Sequence, residues 1–206
     1  MTLDDCYYYF IAQISEEICN DIIKQGVDNN LVKGTVYPLD DKNTEDTQPD
    51  IEEKTRTSKV SFLSDKWIYD IIHPLIAEAN QKSSWNFEYS NTEPMQFTQY
   101  GLNEFYNWHH DSAPHPFRDV HPNFNGKIRK LSSIINLSKP GDYEGGNLEF
   151  DFRNLSEKSS NIRVCNEIKE QGSIVIFPSF IYHRVTPITK GTRHSLVSWT
   201  VGYPWK

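Results

Sequence analysis

The chain of 206 residues has little cysteine, little excess of basic charge and no long apolar run. Its three cysteines, Cys6, Cys19 and Cys165, are scattered, and no C-x-x-C pair occurs. That excludes a disulfide framework and a cysteine zinc site as the organising device, and it fits a reducing cytoplasm. Lysine and arginine number 21 against 28 acids, a net charge of −7. Such a balance disfavours nucleic acid or an anionic membrane as a bulk partner; a local basic patch remains at Lys127, Arg129 and Lys130. No stretch approaches the roughly 18 apolar residues of a membrane span. Residues 1–10 carry Asp4 and Asp5 without a basic n-region, so no signal peptide is expected.

Aromatic content is 13%. Short aromatic-rich segments punctuated by Gly and Pro favour a sandwich or barrel with some helices. Ser15 reads as an N-cap, Glu16 and Glu17 as a first turn, and Gly26 as a C-terminal stop. A second helix is expected from Ser64 to about Lys82, with Trp67, Ile68, Ile72 and Ile76 inward and a kink or break at Pro74. Strands are expected at Tyr7–Ile11, 31–37, Val60–Leu63, Trp85–Tyr89, Met95–Gly101, Tyr106–Asp111, Lys130–Leu137, Gly146–Phe152, Glu167–Lys169, Ser173–Phe177 and Arg193–Val201. Residues 38–58 hold seven acids (Asp40, Asp41, Glu45, Asp46, Asp50, Glu52, Glu53) and read as a surface excursion or a flap over a site. Residues 113–127, with His115 and His121, form a second loop. No repeat or linker divides the chain. The expected fold is α+β, mainly β: two N-terminal helices packed on one sheet of a double-stranded β-helix (jelly roll). One domain spans 1–206, with 1–94 as support and 95–206 as core.

The chemistry lies in His109-x-Asp111 and a distant His183. Residues i and i+2 of a strand share a face, so His109 and Asp111 point into one cavity while His110 points away. Two imidazoles and one carboxylate make the facial triad of a non-haem Fe(II) site, with positions left open for O₂ and a cosubstrate. Taken alone, H-x-D is a weak signal. Ten residues beyond His183, Arg193 shares an alternating face with Ser195, Val197 and Trp199. A guanidinium binds a carboxylate bidentately, and the Ser195 hydroxyl adds a further hydrogen bond. Tyr100, on one face with Gln96 and Thr98, is placed to reach the same carboxylate. His194 falls on the opposite face. His73, Trp108, Trp199 and the Gly145-Gly146 turn are read as structural.

Longer motifs extend the pattern: Arg56-x-Ser58, Gln96-Phe97-Thr98-x-Tyr100, Tyr106-x-Trp108-His109-x-Asp111, Arg129-Lys130-Leu131-Ser132, Gly145-Gly146-x-Leu148-Glu149-Phe150, Phe177-Pro178-Ser179, His183-Arg184-Val185-x-Pro187 and Gly191-x-Arg193-x-Ser195. On these the chain resembles the prolyl-4-hydroxylase-like branch of the 2-oxoglutarate/Fe(II) oxygenases, close to the bacterial and phage PKHD-type hydroxylases. The resemblance implies iron on His109, Asp111 and His183, and 2-oxoglutarate on Arg193 with Tyr100 and Ser195 assisting. Asn136 is expected to face the same cavity. It further implies O₂ as cosubstrate, ascorbate as an accessory reductant, and release of succinate and CO₂ as a C–H bond is hydroxylated. Collagen-type enzymes carry lysine where this chain has Arg193, and Asp111 argues against a halogenase. The implied substrate is a prolyl residue in a peptide or protein. The rivals are a free amino acid or other small molecule, a zinc hydrolase on the same ligands, and a jelly-roll binding module.

Overall fold

In a computed structural model, residues 6–35, 55–113, 115–152 and 161–205 are described. Among the described residues the fold is mostly β with two α-helices. In chain order it runs β1 (Tyr8–Phe10), α1 (Glu16–Asp28), β2 (Val32–Lys33), β3 (Arg56–Thr57), β4 (Lys59–Leu63) and α2 (Lys66–Lys82). Next come β5 (Asn91–Thr92), β6 (Met95–Tyr100), β7 (Phe105–His109), β8 (Ile128–Asn136), β9 (Tyr143–Gly145), β10 (Leu148–Asp151) and β11 (Ile162–Val164). The last strands are β12 (Ile174–Pro178), β13 (Tyr182–Val185), β14 (Ile188–Gly191) and β15 (Arg193–Gly202).

An eight-stranded sheet has the order β1-β12-β8-β15-β6-β4-β2, with β5 also on β15. A five-stranded sheet has the order β11-β10-β13-β7-β3, and β14 pairs with β9. All the pairings among the described residues are antiparallel. Strand alternation sends Leu131, Ile135, Ile174, Ile176, Leu196 and Phe97 to one face of the large sheet. There they pack with Ile22 of α1 and Ile68, Ile72 and Ile76 of α2. The opposite face sends Ile134, Val175, Phe177 and Tyr100 against Leu148, Phe150 and Val185 of the small sheet. The second interior, between the sheets, is where the polar groups collect.

Several local expectations change. Ser15 caps α1 as expected, accepting from the Ile18 N–H at 3.3 Å. Gly26, however, lies inside α1. A Cβ there would stand 2.3 Å from the Phe97 ring, so this glycine serves close packing rather than helix termination. Pro74 sits within a continuous α2 instead of splitting it. Both Pro74 and Asp70 are exposed, so the lost intrahelical bond falls where water can satisfy the carbonyl. Trp67 lies on the outer side, 37% exposed. Residues 85–89 form no strand, and Asn166–Ile168 is a 3-10 turn where a strand is expected. Most of the acidic 38–58 segment lies outside the described residues. Its described end is not loop: Arg56 and Thr57 pair with Tyr106 and Phe105, and Arg56 is buried.

Candidate metal centre

The small sheet sets the two histidines face to face. His109 of β7 and His183 of β13 are direct antiparallel partners. Their ring centroids lie 4.2 Å apart. The sequence reading places His109 and Asp111 on one strand, but β7 ends at His109. Asp111 is held instead by the turn that follows. Its N–H and that of Ser112 both donate to the Ser179 carbonyl, at 2.8 and 2.9 Å. Ser132 Oγ, from β8 of the large sheet, donates to Asp111 Oδ2 at 2.7 Å and also contacts Ser179 Oγ at 3.0 Å. Both sheets therefore build the site.

The three ligand atoms lie within 4.8 Å of one another. Asp111 Oδ1 is 3.8 Å from His109 Nε2, and Oδ2 is 3.7 Å from His183 Nε2. On the other edge of each ring, Nδ1 meets a main-chain carbonyl two residues back: His109 with Asn107 at 2.7 Å, His183 with Ile181 at 3.0 Å. A carbonyl only accepts, so Nδ1 carries the proton and Nε2 presents its lone pair inward. Burial, then the neighbouring His183, holds the His109 imidazole well below its ordinary pKa, against the opposing pull of Asp111. It is neutral at pH 7. Burial works against ionisation of Asp111, but His183, His109, Arg129 and the Ser132 hydrogen bond prevail and keep its carboxyl below the usual range. Two imidazole Nε2 atoms and one carboxylate, brought together in this way, suit Fe(II). The donor set fits the ion.

Arg193 opens β15, opposite Tyr100 of β6. It is 1% exposed, and its Nε and Nη1 have no hydrogen-bond partner. Its Cζ lies 5.8 Å from the Tyr100 ring and 6.0 Å from that of Tyr143. A buried, unpaired guanidinium between two phenol rings is costly unless an anion completes it, so a carboxylate ligand fits. Arg193 also lines a cavity of about 250 Å³ with Tyr143, Gly146, Leu148, Cys165 and Ile168. Gly146 keeps this space: with φ at +58°, a Cβ there would meet Ile188 Cδ1 at 2.4 Å and Arg193 Cδ at 3.0 Å. Tyr100 is buried and its phenol pKa is raised by burial, against the opposing charges of Arg56 and Arg193.

The remaining sequence candidates divide. Ser195 is buried on the inner face, opposite Asn136 and Thr98. Asn136 shares a strand face with Ser132, but its amide donates to the Ser138 and Lys169 carbonyls at 3.0 Å each. Those donors are committed to the main chain; only Oδ1 is left without a partner. His110 packs edge-on to Tyr182, and His194 stacks on Phe97 with a centroid distance of 5.6 Å. His115 and His121 are exposed, the latter accepting from the Asn123 N–H. Sequence reasoning gave Ser132, Arg56 and Tyr106 no role in the site and read Arg129 only as part of a basic patch, although all four fall in the motifs above. Alternation back from Asn136 would have found Ser132. Arg129 forms paired hydrogen bonds to Glu93, both at 2.7 Å, and lies 3.9 Å over the Trp199 ring.

Comparisons with known proteins agree with this geometry. The PKHD-type hydroxylase of Idiomarina loihiensis is 31% identical over 101 residues, covering 49% of this chain and 38% of that protein. A PKHD-type hydroxylase of a Psychrobacter species is 33% identical over 107 residues, covering 52% and 37%. The match thus spans about two fifths of these relatives' length. Among solved structures, the viral collagen prolyl hydroxylase of Paramecium Bursaria Chlorella virus-1, in a 2OG complex, superposes with a TM-score of 0.64 at 16% identity, over 95% of this chain and 96% of that one. A prolyl hydroxylase of Trichoplax adhaerens, in complex with a hypoxia inducible factor peptide fragment, gives 0.65 at 14% identity, over 96% and 84%. At these identities the likeness is one of fold. The profile of the 2OG-Fe(II) oxygenase superfamily matches residues 95–201, which contain His109, Asp111, His183 and Arg193. The chain belongs to the 2OG-Fe(II) oxygenase superfamily.

Proposed function

We propose that this chain is an Fe(II)- and 2-oxoglutarate-dependent dioxygenase that hydroxylates an unactivated C–H bond, with a prolyl residue of a peptide or protein as substrate. One observation carries the reading: His109, Asp111 and His183 converge with both Nε2 lone pairs inward, while the buried Arg193 has no counter-ion among the described residues. The prolyl element is supported by the names of the relatives and by the fold shared with prolyl hydroxylases, one of them holding a peptide. The two facing sheets are read as a double-stranded β-helix, within a single domain whose core begins at Met95. The three scattered free cysteines suit a reducing, cytoplasmic setting. Among the described residues, no helix is long and apolar enough to cross a membrane.

In this reading His109, Asp111 and His183 hold Fe(II), and Arg193 takes the distal carboxylate of 2-oxoglutarate with Tyr100 and Ser195 beside it. When bound, the iron couples O₂ reduction to decarboxylation of the oxo acid, giving succinate, CO₂ and a hydroxylated product. The protein's own work is orientation. The Asn107 and Ile181 carbonyls lock the imidazoles, Ser132 and the Ser179 carbonyl lock Asp111, and Phe150 and Phe177 wall the His183 side against water.

The test is anaerobic addition of Fe(II) and 2-oxoglutarate to metal-free protein. A visible metal-to-ligand charge-transfer band is expected in the wild type and is expected to be lost or much weakened in Asp111→Ala and Arg193→Ala. No band in folded, iron-loaded wild type refutes the oxygenase reading. Proline-containing peptides and free amino acids, compared by succinate release, then separate the two substrate classes.

A further inference from the structure

Arg56 is a buried charge with no role in the reading above. It opens β3 and is 4% exposed. Its Nε donates to Ser58 Oγ at 2.7 Å, and Nη1 reaches the Thr35 carbonyl at 3.5 Å. Nη2 is buried without a hydrogen-bond partner. These partners are neutral, and no acid among the described residues pairs with the guanidinium. Arg129 is the contrast, since Glu93 neutralises it through two hydrogen bonds. An uncompensated buried cation is expensive, and removing it from water strengthens its field on whatever lies nearby.

What lies nearby is a ring that touches a metal ligand. Arg56 and Tyr106 are direct cross-strand partners. The Arg56 guanidinium carbon lies 4.6 Å from the centre of the Tyr106 ring. That ring stacks on His109 with centroids 3.5 Å apart and planes 11° from parallel. Tyr106 and His109 are three apart on β7, a spacing that a regular strand would send to opposite faces. The register of β7 against β13 shifts between these two positions, and the irregularity turns the rings onto one another. The two spacings bring the guanidinium to within about 8 Å of the His109 ring, with a polarisable phenol between them.

We propose that Arg56 is a positioning residue that acts through Tyr106 to keep the iron of the His109–Asp111–His183 centre ferrous. The proposal rests on the iron reading above. Oxidation raises the charge of the ion by one, and a cation beside its ligand disfavours the more positive state. In the absence of substrate, one electron passes from Fe(II) to O₂, giving Fe(III) and superoxide. Arg56 makes that loss less favourable. It also leaves less electron density on His109 to push toward the metal.

The experiment uses the full chain loaded anaerobically with Fe(II) and 2-oxoglutarate. It compares wild type with Arg56→Gln, Arg56→Lys and Tyr106→Phe. The first readout is the energy of the charge-transfer band; the second is the rate at which the band decays in O₂ without substrate. Arg56→Gln removes the charge and keeps the shape. Its band is expected to move to lower energy, because the iron gives up an electron more easily, and to decay several-fold faster. Arg56→Lys and Tyr106→Phe keep charge and ring and are expected to match wild type. Should Arg56→Gln fail to fold, Tyr106→Leu removes the intervening ring and is expected to shift the band in the same direction. A folded, iron-loaded Arg56→Gln with an unmoved band and unchanged decay overturns the proposal while leaving the oxygenase reading intact. A wild type without any band refutes both.

Discussion

His109 and His183 are direct cross-strand partners whose Nδ1 atoms each meet their own chain's carbonyl two residues upstream. The same local device is used twice, once on β7 and once on β13. It turns both Nε2 atoms toward Asp111 with hydrogen bonds to the main chain alone. The carboxylate differs: it stands outside the strand and depends on Ser132, which comes from the other sheet.

That dependence makes Ser132 the first point to test. Ser132→Ala removes the donor that orients Asp111 but leaves all three ligands in place. Loss of a partner that orients a metal ligand costs about 10- to 100-fold in metal affinity. Fe(II) or Mn(II) titration of the variant is expected to show a loss in that range, with the fold retained by circular dichroism. Wild-type affinity in Ser132→Ala would mean that the Ser179 carbonyl alone fixes Asp111.

Arg193 invites a prediction in the opposite direction. Its guanidinium is buried and two of its nitrogens lack partners, so the free protein carries an uncompensated charge. Arg193→Met removes that charge and keeps most of the volume. Without cosubstrate the variant is expected to melt at or above the wild-type temperature. With 2-oxoglutarate at about 100 times its Kd, wild type should gain about 2.7 kcal/mol and the variant nothing. Differential scanning calorimetry with and without the oxo acid checks both halves. A variant still stabilised by 2-oxoglutarate to the wild-type extent would remove Arg193 from the cosubstrate site.

The site was legible where the chemistry is carried by residue type at fixed spacing. His109, Asp111, His183 and Arg193 stand out because histidines are few, seven in the chain, and a carboxylate and a guanidinium fall at short intervals from two of them. Asn136 was harder. Alternation gave its face, but it could not show that the Ser138 and Lys169 carbonyls claim its amide. Arg56 was lost inside an acidic stretch whose composition reads as solvent-facing, although two of its residues pair with β7. The helix errors share one cause: propensity rules describe isolated helices. Pro74 is tolerated because it faces water, and Gly26 is fixed by a ring on another strand.

Gly146 links fold and site. It adopts φ +58°, and a Cβ there would press on Ile188 Cδ1 and Arg193 Cδ. Gly146→Ala is expected to cost about 1–3 kcal/mol of stability from the left-handed backbone and the crowding. Its more telling effect should be on 2-oxoglutarate, whose Kd should rise as Arg193 is displaced while metal affinity stays near wild type. Parallel titrations of metal and oxo acid separate the two. Equal losses in both would indicate general disorder of the site rather than a shift of the anchor.

Gly26→Ala sets two rules against each other. Replacing an interior helical glycine by alanine ordinarily stabilises by about 1 kcal/mol. Here the new methyl would stand 2.3–2.5 Å from three atoms of the Phe97 ring, which is itself fully buried on β6. Overpacking of that kind costs typically about 1–3 kcal/mol. The ring is rigid, and Ile22, Leu63 and Leu196 fill the same apolar cluster, so it has little room to retreat. Steric cost should therefore win, and urea denaturation is expected to show a lower midpoint with an unchanged slope. Pairing the change with Phe97→Leu should recover much of the loss, because a smaller side chain opens the space that the methyl needs. If Gly26→Ala alone raises the midpoint, α1 sits farther from the sheet than this packing implies, and Gly26 is an ordinary helical glycine after all.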